Sequence, residues 1–284
     1  MSALARPVQL LRRTSPGIDR AVTRLYTARV MTDNPIVIFS MGKTGTTSIT
    51  GALGSATGRP VVKAHALSSS GIERRMAKAA RLRIKARPRF LWACEQIAQS
   101  ITAGGPWQLI CGVRDPVALA VSDHFYGLSE QHKVGRTAWM AGAPADHAKA
   151  IVENLSENFI NRDWFDDELK LITGIDVYDT PFPNGQGSTT RSNDRYSALI
   201  LRAEDLSTAG PDAIANHLDL TEPLPIDRHN KTVDSSASPY AQFLAEGELP
   251  VEILDAVYAT QMSRHFYTEE ELDGFRARWA GLSR

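Results

Sequence analysis

The sequence predicts an α/β protein: a central, mainly parallel sheet flanked by helices, with a helical C-terminal part. Three observations carry this. The runs Pro35–Phe39, Trp107–Val113 and Tyr196–Leu201 are short, apolar and rich in β-branched residues, as buried strands are. The first two run into a tight turn and then apolar residues at helical spacing, Ile49, Ala52, Leu53 and Ala56 after the first and the segment from Pro116 after the second. The C-terminal part shows helical stripes: Ile253, Leu254, Val257 and Tyr258, then Leu272, Phe275 and Trp279.

The chain has 284 residues, 43% hydrophobic and 23% charged, enough for one large domain. Residues 1–34 are expected to be a basic extension, partly disordered, and 35–284 a single domain. The extension carries Arg6, Arg12, Arg13, Arg20, Arg24 and Arg29. It is read as a poorly ordered tail, the alternatives being a basic amphipathic helix on a membrane surface or a transit peptide. Lys plus Arg equals Asp plus Glu at 32 each, so no global field for a polyanion is expected. Nucleic acid is not an expected partner, since no aromatic platform interleaves the basic residues. Cys94 and Cys111 are the only cysteines, which suits a reducing compartment. No apolar run approaches transmembrane length. The expected location is the cytoplasm, with the inner membrane face as a further contact for the basic residues.

The turn after the first strand reads Ser40-Met41-Gly42-Lys43-Thr44-Gly45-Thr46-Thr47-Ser48. Backbone N–H groups of such a loop, with the following helix N-terminus, make an anion cradle, and Lys43 adds a full charge. A nucleoside-triphosphate loop, G-x-x-x-x-G-K-[ST], would need glycine at position 37, where Val37 stands inside the strand. After the second long strand comes Arg114-Asp115-Pro116, with Asp115 and Pro116 fitting the N-cap and first helical positions, and Ser122 two turns on.

Lysine followed by Thr-Gly-Thr-Thr resembles the 5′-phosphosulfate loop of sulfotransferases that use 3′-phosphoadenylyl sulfate (PAPS), with Gly42 where that family has proline. Arginine, Asp-Pro and a serine eight residues after the arginine resemble its 3′-phosphate segment. Val61-Val62-Lys63-Ala64 predicts a short strand that ends at His65, and Lys63-Ala64-His65 resembles the family's Lys-Thr-His, whose histidine is the catalytic base. Asn158–Lys170 with Trp164-Phe165, then Gly174-Ile175-Asp176-Val177-Tyr178, resembles a bacterial branch associated with capsular polysaccharide synthesis.

The resemblance implies a P-loop-like three-layer fold and transfer of a sulfuryl group from PAPS to a hydroxyl of a saccharide or glycolipid, with no metal. It implies Lys43 and His65 as catalytic residues. Lys43, Thr44, Gly45, Thr46, Thr47, Ser48, Arg114 and Ser122 would hold the nucleotide. The alternatives are an ATP-dependent phosphotransferase and a non-catalytic nucleotide-binding protein of polysaccharide assembly. His124 is the rival base, more simply read as a packing residue. His65 itself is open to a structural reading, as a hydrogen-bonded histidine.

Elsewhere the expectations are structural. The basic run Arg74, Arg75, Lys78, Arg81, Arg83, Lys85, Arg87 and Arg89 predicts a helix, read either as a solvated face or as a patch for an acidic acceptor. Trp164 and Phe165 read as core anchors. Glu204 and Asp205 read as carboxylates bonding helix ends or arginines. Residues 180–195 are turn-rich, with Arg191 and Arg195 free to reach an anion. The family's Arg-Lys-Gly, a third 3′-phosphate contact, has no counterpart here; Asn230-Lys231 lies in roughly that zone. Thr268 and Glu271 predict a capping box.

Overall fold

The computed structural model describes residues 16–81, 88–132, 142–157, 162–226 and 238–282. The elements run α1 (Pro16–Thr32), β1 (Ile36–Phe39), α2 (Thr46–Ala56), β2 (Val61–Ala64), α3 (Ser69–Arg81), α4 (Pro88–Ala103), β3 (Trp107–Val113), α5 (Pro116–His132) and α6 (Pro144–Glu157). A π-helical turn, Phe165–Lys170, then leads through Leu171–Thr173 to β4 (Ser188–Ser192) and β5 (Tyr196–Arg202). The rest is helical: α7 (Gly210–His217), α8 (Pro239–Glu246), α9 (Val251–Tyr258), α10 (Gln261–Phe266) and α11 (Glu269–Trp279).

The five strands form one sheet in the order β2-β1-β3-β5-β4. The first four are mutually parallel, with Ile36 opposite Val61, Ile38 opposite Ile110 and Ile110 opposite Leu199. β4 is antiparallel to β5. The chain leaves β1 for β2 on one side and returns to β3 on the other. The strand order therefore reverses between β1 and β3, and open parallel sheets bind ligands at the crevice this creates beyond the carboxyl ends.

Both faces of the sheet are covered, which is why the strands read as continuous apolar runs rather than alternating ones. Ile36, Ile38, Ile110, Leu199 and Leu201 pack against Ile49 and Leu53 of α2, Ile214 of α7 and Leu218 just beyond it. Val37, Phe39, Cys111, Ala198 and Ile200 face the larger core, with residues of α4, α5, α6 and the C-terminal helices. Cys94 and Cys111 are buried free thiols. Burial pushes Cys94 up to about 12 and Cys111 higher still, so both are inert packing groups.

Two expectations are corrected. Residues 16–32 are not a loose tail. They form α1, in which Thr27 and Met31 are buried, and the helix is bound to α4 through Arg20–Glu95 at 2.8 Å and Arg24–Gln99 at 3.1 Å. Arg6, Arg12 and Arg13 lie outside the described residues. The segment 180–195 holds strand β4, which its hydroxyl-rich sequence Ser-Thr-Thr-Arg-Ser conceals because an edge strand needs little apolar surface. Its arginines serve the fold: Arg191 donates to the carbonyls of Thr180 and Pro181, and Arg195 to those of Thr102 and Gly104. Arg195 precedes β5 and so stands at the end of the sheet opposite the crevice.

The capping box forms as expected, Thr268 N donating to Glu271 Oε2 at 2.8 Å and Glu271 N to Thr268 Oγ1 at 3.2 Å. Trp164 and Phe165 are core anchors, 2% and 1% exposed.

Candidate anion site at the carboxyl ends of the strands

Ser40, the first residue beyond β1, is fully buried. Its hydroxyl bonds Thr44 Oγ1 at 2.8 Å and accepts from Gly112 N, in β3, at 2.8 Å. This stitches the loop to the neighbouring strand end. Only glycine fits at position 112, since a Cβ there would stand 2.6 Å from Thr44 Oγ1. Lys43 (φ 68°) and Gly45 (φ 81°) both take the left-handed conformation. For lysine that is a strained backbone, of the kind that concentrates at functional sites.

α2 starts at Thr46 with Gly45 as its N-cap, so no side chain caps the first-turn N–H groups, and the first turn holds no acid. That leaves a partly positive helix end beside Lys43. Thr46 and Ser48 are buried and Thr47 is exposed. Thr44 departs from expectation. Its side chain is 1% exposed, and its hydroxyl donates to the Met41 carbonyl at 3.0 Å. That hydroxyl belongs to the loop itself, so Thr44 has only its backbone to offer a ligand.

Arg114 follows β3 and donates through Nη1 to the Lys43 carbonyl at 3.0 Å. Arg114 thus reaches across the β1/β3 crevice to the backbone of Lys43. Behind Arg114, Asp115 is buried and accepts from Val117 N (2.9 Å), Tyr258 Oη (3.0 Å) and Trp279 Nε1 (2.9 Å). Its own N–H donates to Glu204 Oε1 at 3.0 Å, and Tyr267 Oη donates to Glu204 Oε2 at 3.0 Å. Burial pushes both carboxyls up from their ordinary values, against these hydrogen bonds. Glu204 and Asp205 are structural, as expected, Asp205 accepting from Arg202 Nε at 2.5 Å. Ser122 is half-buried on α5. One turn further along the same face, Tyr126 is 38% exposed, and the Lys43 ammonium lies 4.4 Å from its ring centroid.

His65 sits at the end of β2. Its Nδ1 is 2.7 Å from the Ser40 carbonyl. A carbonyl only accepts, so Nδ1 carries the proton and Nε2 keeps the lone pair. Its backbone carbonyl accepts from Arg75 Nη2 at 2.8 Å and from Trp164 Nε1 at 2.9 Å, and its ring packs on Phe90 with centroids 5.6 Å apart. Burial first, then the Arg75, Lys63 and Lys43 charges, push its pKa down to about 3. His124, the rival, pairs instead with His147 at 3.0 Å, and burial with that neighbour pushes it down to about 4.

Among the described side chains of the basic run, no open patch forms. Arg74 pairs with Asp167 at 3.0 Å, Lys78 pairs with Asp123, Arg89 pairs with Asp19 at 2.8 Å, and Arg75 serves His65. Arg83, Lys85, Arg87 and the pair Asn230-Lys231 lie outside the described residues. Sequence reasoning missed Ser40, Arg75 and Tyr126, and missed that Trp164 reaches His65. Arg75 is indistinguishable from its neighbours in a charge run. Tyr126 had a signal, its four-residue spacing from Ser122.

Fold and site define an α/β protein whose basic side chains and uncapped helix end converge at the switch point of a mostly parallel sheet. Residues 147–268 match a family model described as "Putative capsular polysaccharide synthesis protein". That segment begins after Lys43, His65 and Arg114 and includes Trp164 and Glu204. No curated protein and no solved structure matches the chain. Among the described residues, no helix is long and apolar enough to cross a membrane.

Proposed function

We propose that this protein is a PAPS-dependent sulfotransferase with a P-loop-like fold, acting on a hydroxyl of a saccharide or glycolipid. The observation that carries the reading is the bond of Arg114 Nη1 to the Lys43 carbonyl, 3.0 Å, which sets both residues at the sheet's switch point, beside a helix end whose N-cap is glycine and gives no side-chain cap. Two cations on neighbouring strand ends suit one ligand with two separate anionic groups. The capsular polysaccharide family match supports a saccharide-related acceptor.

In the reaction the acceptor oxygen forms a bond to sulfur while the bond from sulfur to the bridging phosphate oxygen breaks. The electron pair stays on that oxygen, leaving 3′,5′-bisphosphoadenosine. Lys43, with the N–H groups of Gly45, Thr46 and Thr47, stabilises this growing charge, and such preorganised donors are worth about 3–4 kcal/mol each. Arg114 and Ser122 take the 3′-phosphate. His65 Nε2 accepts the acceptor's proton. A pKa near 3 is low for a base. An anionic donor beside Lys43 opposes the cationic fields on the imidazole and raises its pKa toward the useful range.

The test is calorimetric titration with 3′,5′-bisphosphoadenosine and with ATP plus magnesium, followed by transfer of radiolabelled sulfate from PAPS into a saccharide extract. Tight binding of the bisphosphate and label in a saccharide product are expected. Preference for ATP, or binding with no transfer to any fraction, would overturn the reading.

A further inference from the structure

The geometry points to Glu168 as a positioning residue for His65, through the loop that joins β2 to α3. Glu168 lies on the π-helical turn Phe165–Lys170 and is 1% exposed. Its Oε2 accepts from Leu67 N at 2.7 Å and from Ser68 N at 2.9 Å, and its Oε1 accepts from Ser68 Oγ at 2.7 Å. Ser68 Oγ in turn accepts from Gly71 N at 3.0 Å, in the first turn of α3. The fit is close: a Cβ on Gly71 would stand 1.6 Å from Glu168 Oε1.

The loop is therefore gripped at each end of its short length. His65 is held at its carbonyl by Arg75 and Trp164 and at its ring by Ser40. Leu67 and Ser68 are held by Glu168. Trp164 and Glu168 come from one turn of chain, inside the segment that matches the family model. Through Trp164 that segment thus reaches a residue 99 positions upstream of the tryptophan.

The chemistry favours a carboxylate. The three groups facing it, two N–H and one O–H, all have a hydrogen to give, and only an ionised carboxyl meets them with acceptors alone. Glutamine can meet the two N–H groups with its carbonyl only by turning its NH₂ to Ser68 Oγ, whose hydrogen must then go to Ser70 Oγ, 3.2 Å away, and the charge that strengthens all three bonds is lost, so the grip on the loop slackens. Displacing residues 67 and 68 shifts His65 off Ser40, and the ring then loses the bond that fixes its tautomer. A misplacement of about 1 Å costs on the order of 10²-fold where a reacting group is concerned.

The consequence for turnover rests on the reading of His65 as proton acceptor; the consequence for its tautomer does not. The experiment compares wild type, Glu168→Gln and Ser68→Ala by nitrogen–carbon correlated NMR of the histidine rings, with a His65→Gln spectrum for assignment. Bisphosphoadenosine affinity and PAPS turnover are measured beside it. Wild type should show His65 protonated at Nδ1. Glu168→Gln should show a mixture of tautomers, nucleotide affinity within about twofold of wild type, and turnover lower by at least tenfold with KM for PAPS little changed. Ser68→Ala, which removes one donor and keeps the carboxylate, should stay close to wild type in the spectrum.

A folded Glu168→Gln with an unchanged His65 tautomer overturns the assignment. So does failure of both variants to fold, which would make the carboxylate a core element only. If wild type neither binds the bisphosphate nor transfers sulfate, the sulfotransferase reading fails while the tautomer comparison still decides the role of Glu168.

Discussion

Lys43 and Arg114 meet through backbone rather than through their charges: the guanidinium donates to the lysine's own carbonyl at 3.0 Å. The same contact braces a residue held in the left-handed conformation at φ 68°. Arg114→Ala therefore removes a brace on the cradle and, on the proposed reading, the cation that takes the 3′-phosphate. A charge-assisted hydrogen bond is worth about 1.5–3 kcal/mol, so bisphosphoadenosine affinity should fall roughly 10- to 150-fold. Calorimetry reads this directly, and an unchanged affinity would remove Arg114 from the site.

Tyr126 offers a second, milder test. At exposed positions a cation held on an aromatic ring gains about 0.5–1 kcal/mol. Tyr126→Leu should lower sulfate transfer by about 2- to 5-fold as the Lys43 ammonium loses its resting position. Tyr126→Phe keeps the ring and should behave as wild type. Equal loss in both variants would point to the hydroxyl instead.

Gly112 tests the stitching of β1 to β3. Gly112→Ala drives a methyl into Thr44 Oγ1 at 2.6 Å, among fully buried neighbours. Overpacking of this kind costs about 1–3 kcal/mol. The denaturant midpoint should drop by a matching amount, and nucleotide affinity should drop with it, because the clash lies under the loop. Loss of stability with intact affinity would separate the stitch from the cradle.

The histidines set an acid limit. In the folded state His65 is pushed down to about 3, while His124 and His217 are pushed down to about 4. The neutral ring is the form the fold accepts, so the stability is complete above the unfolded value of about 6.5 and is lost as pH falls toward the folded values. Asp115 and Glu204, raised by burial, act in the opposite sense and soften the fall. Chemical denaturation between pH 7 and 4 should show declining stability, with a shallower slope in His65→Gln. An identical slope would mean that His65 titrates freely in the folded protein.

What the sequence made legible follows from burial. Strands β1, β3 and β5 lie inside the sheet and announce themselves as apolar runs, while β4 lies at an edge and does not. Lys43, His65 and Arg114 were readable because each stands where a strand stops, and parallel strands stop at one rim. Their supports were not readable. Arg75, Trp164 and Glu168 act on His65 or its loop from positions ten to about a hundred residues away, and no local pattern records such a distance. Thr44 shows the converse: its place in the loop is plain from the sequence, yet its hydroxyl turns inward to finish the loop.

The buried carboxylate of Asp115 binds Tyr258 and Trp279, residues 143 and 164 positions later. During synthesis, all of Lys43, His65 and Arg114 leave the ribosome long before those two exist. The nascent chain thus carries its basic rim before the partners of the neighbouring Asp115 have been made.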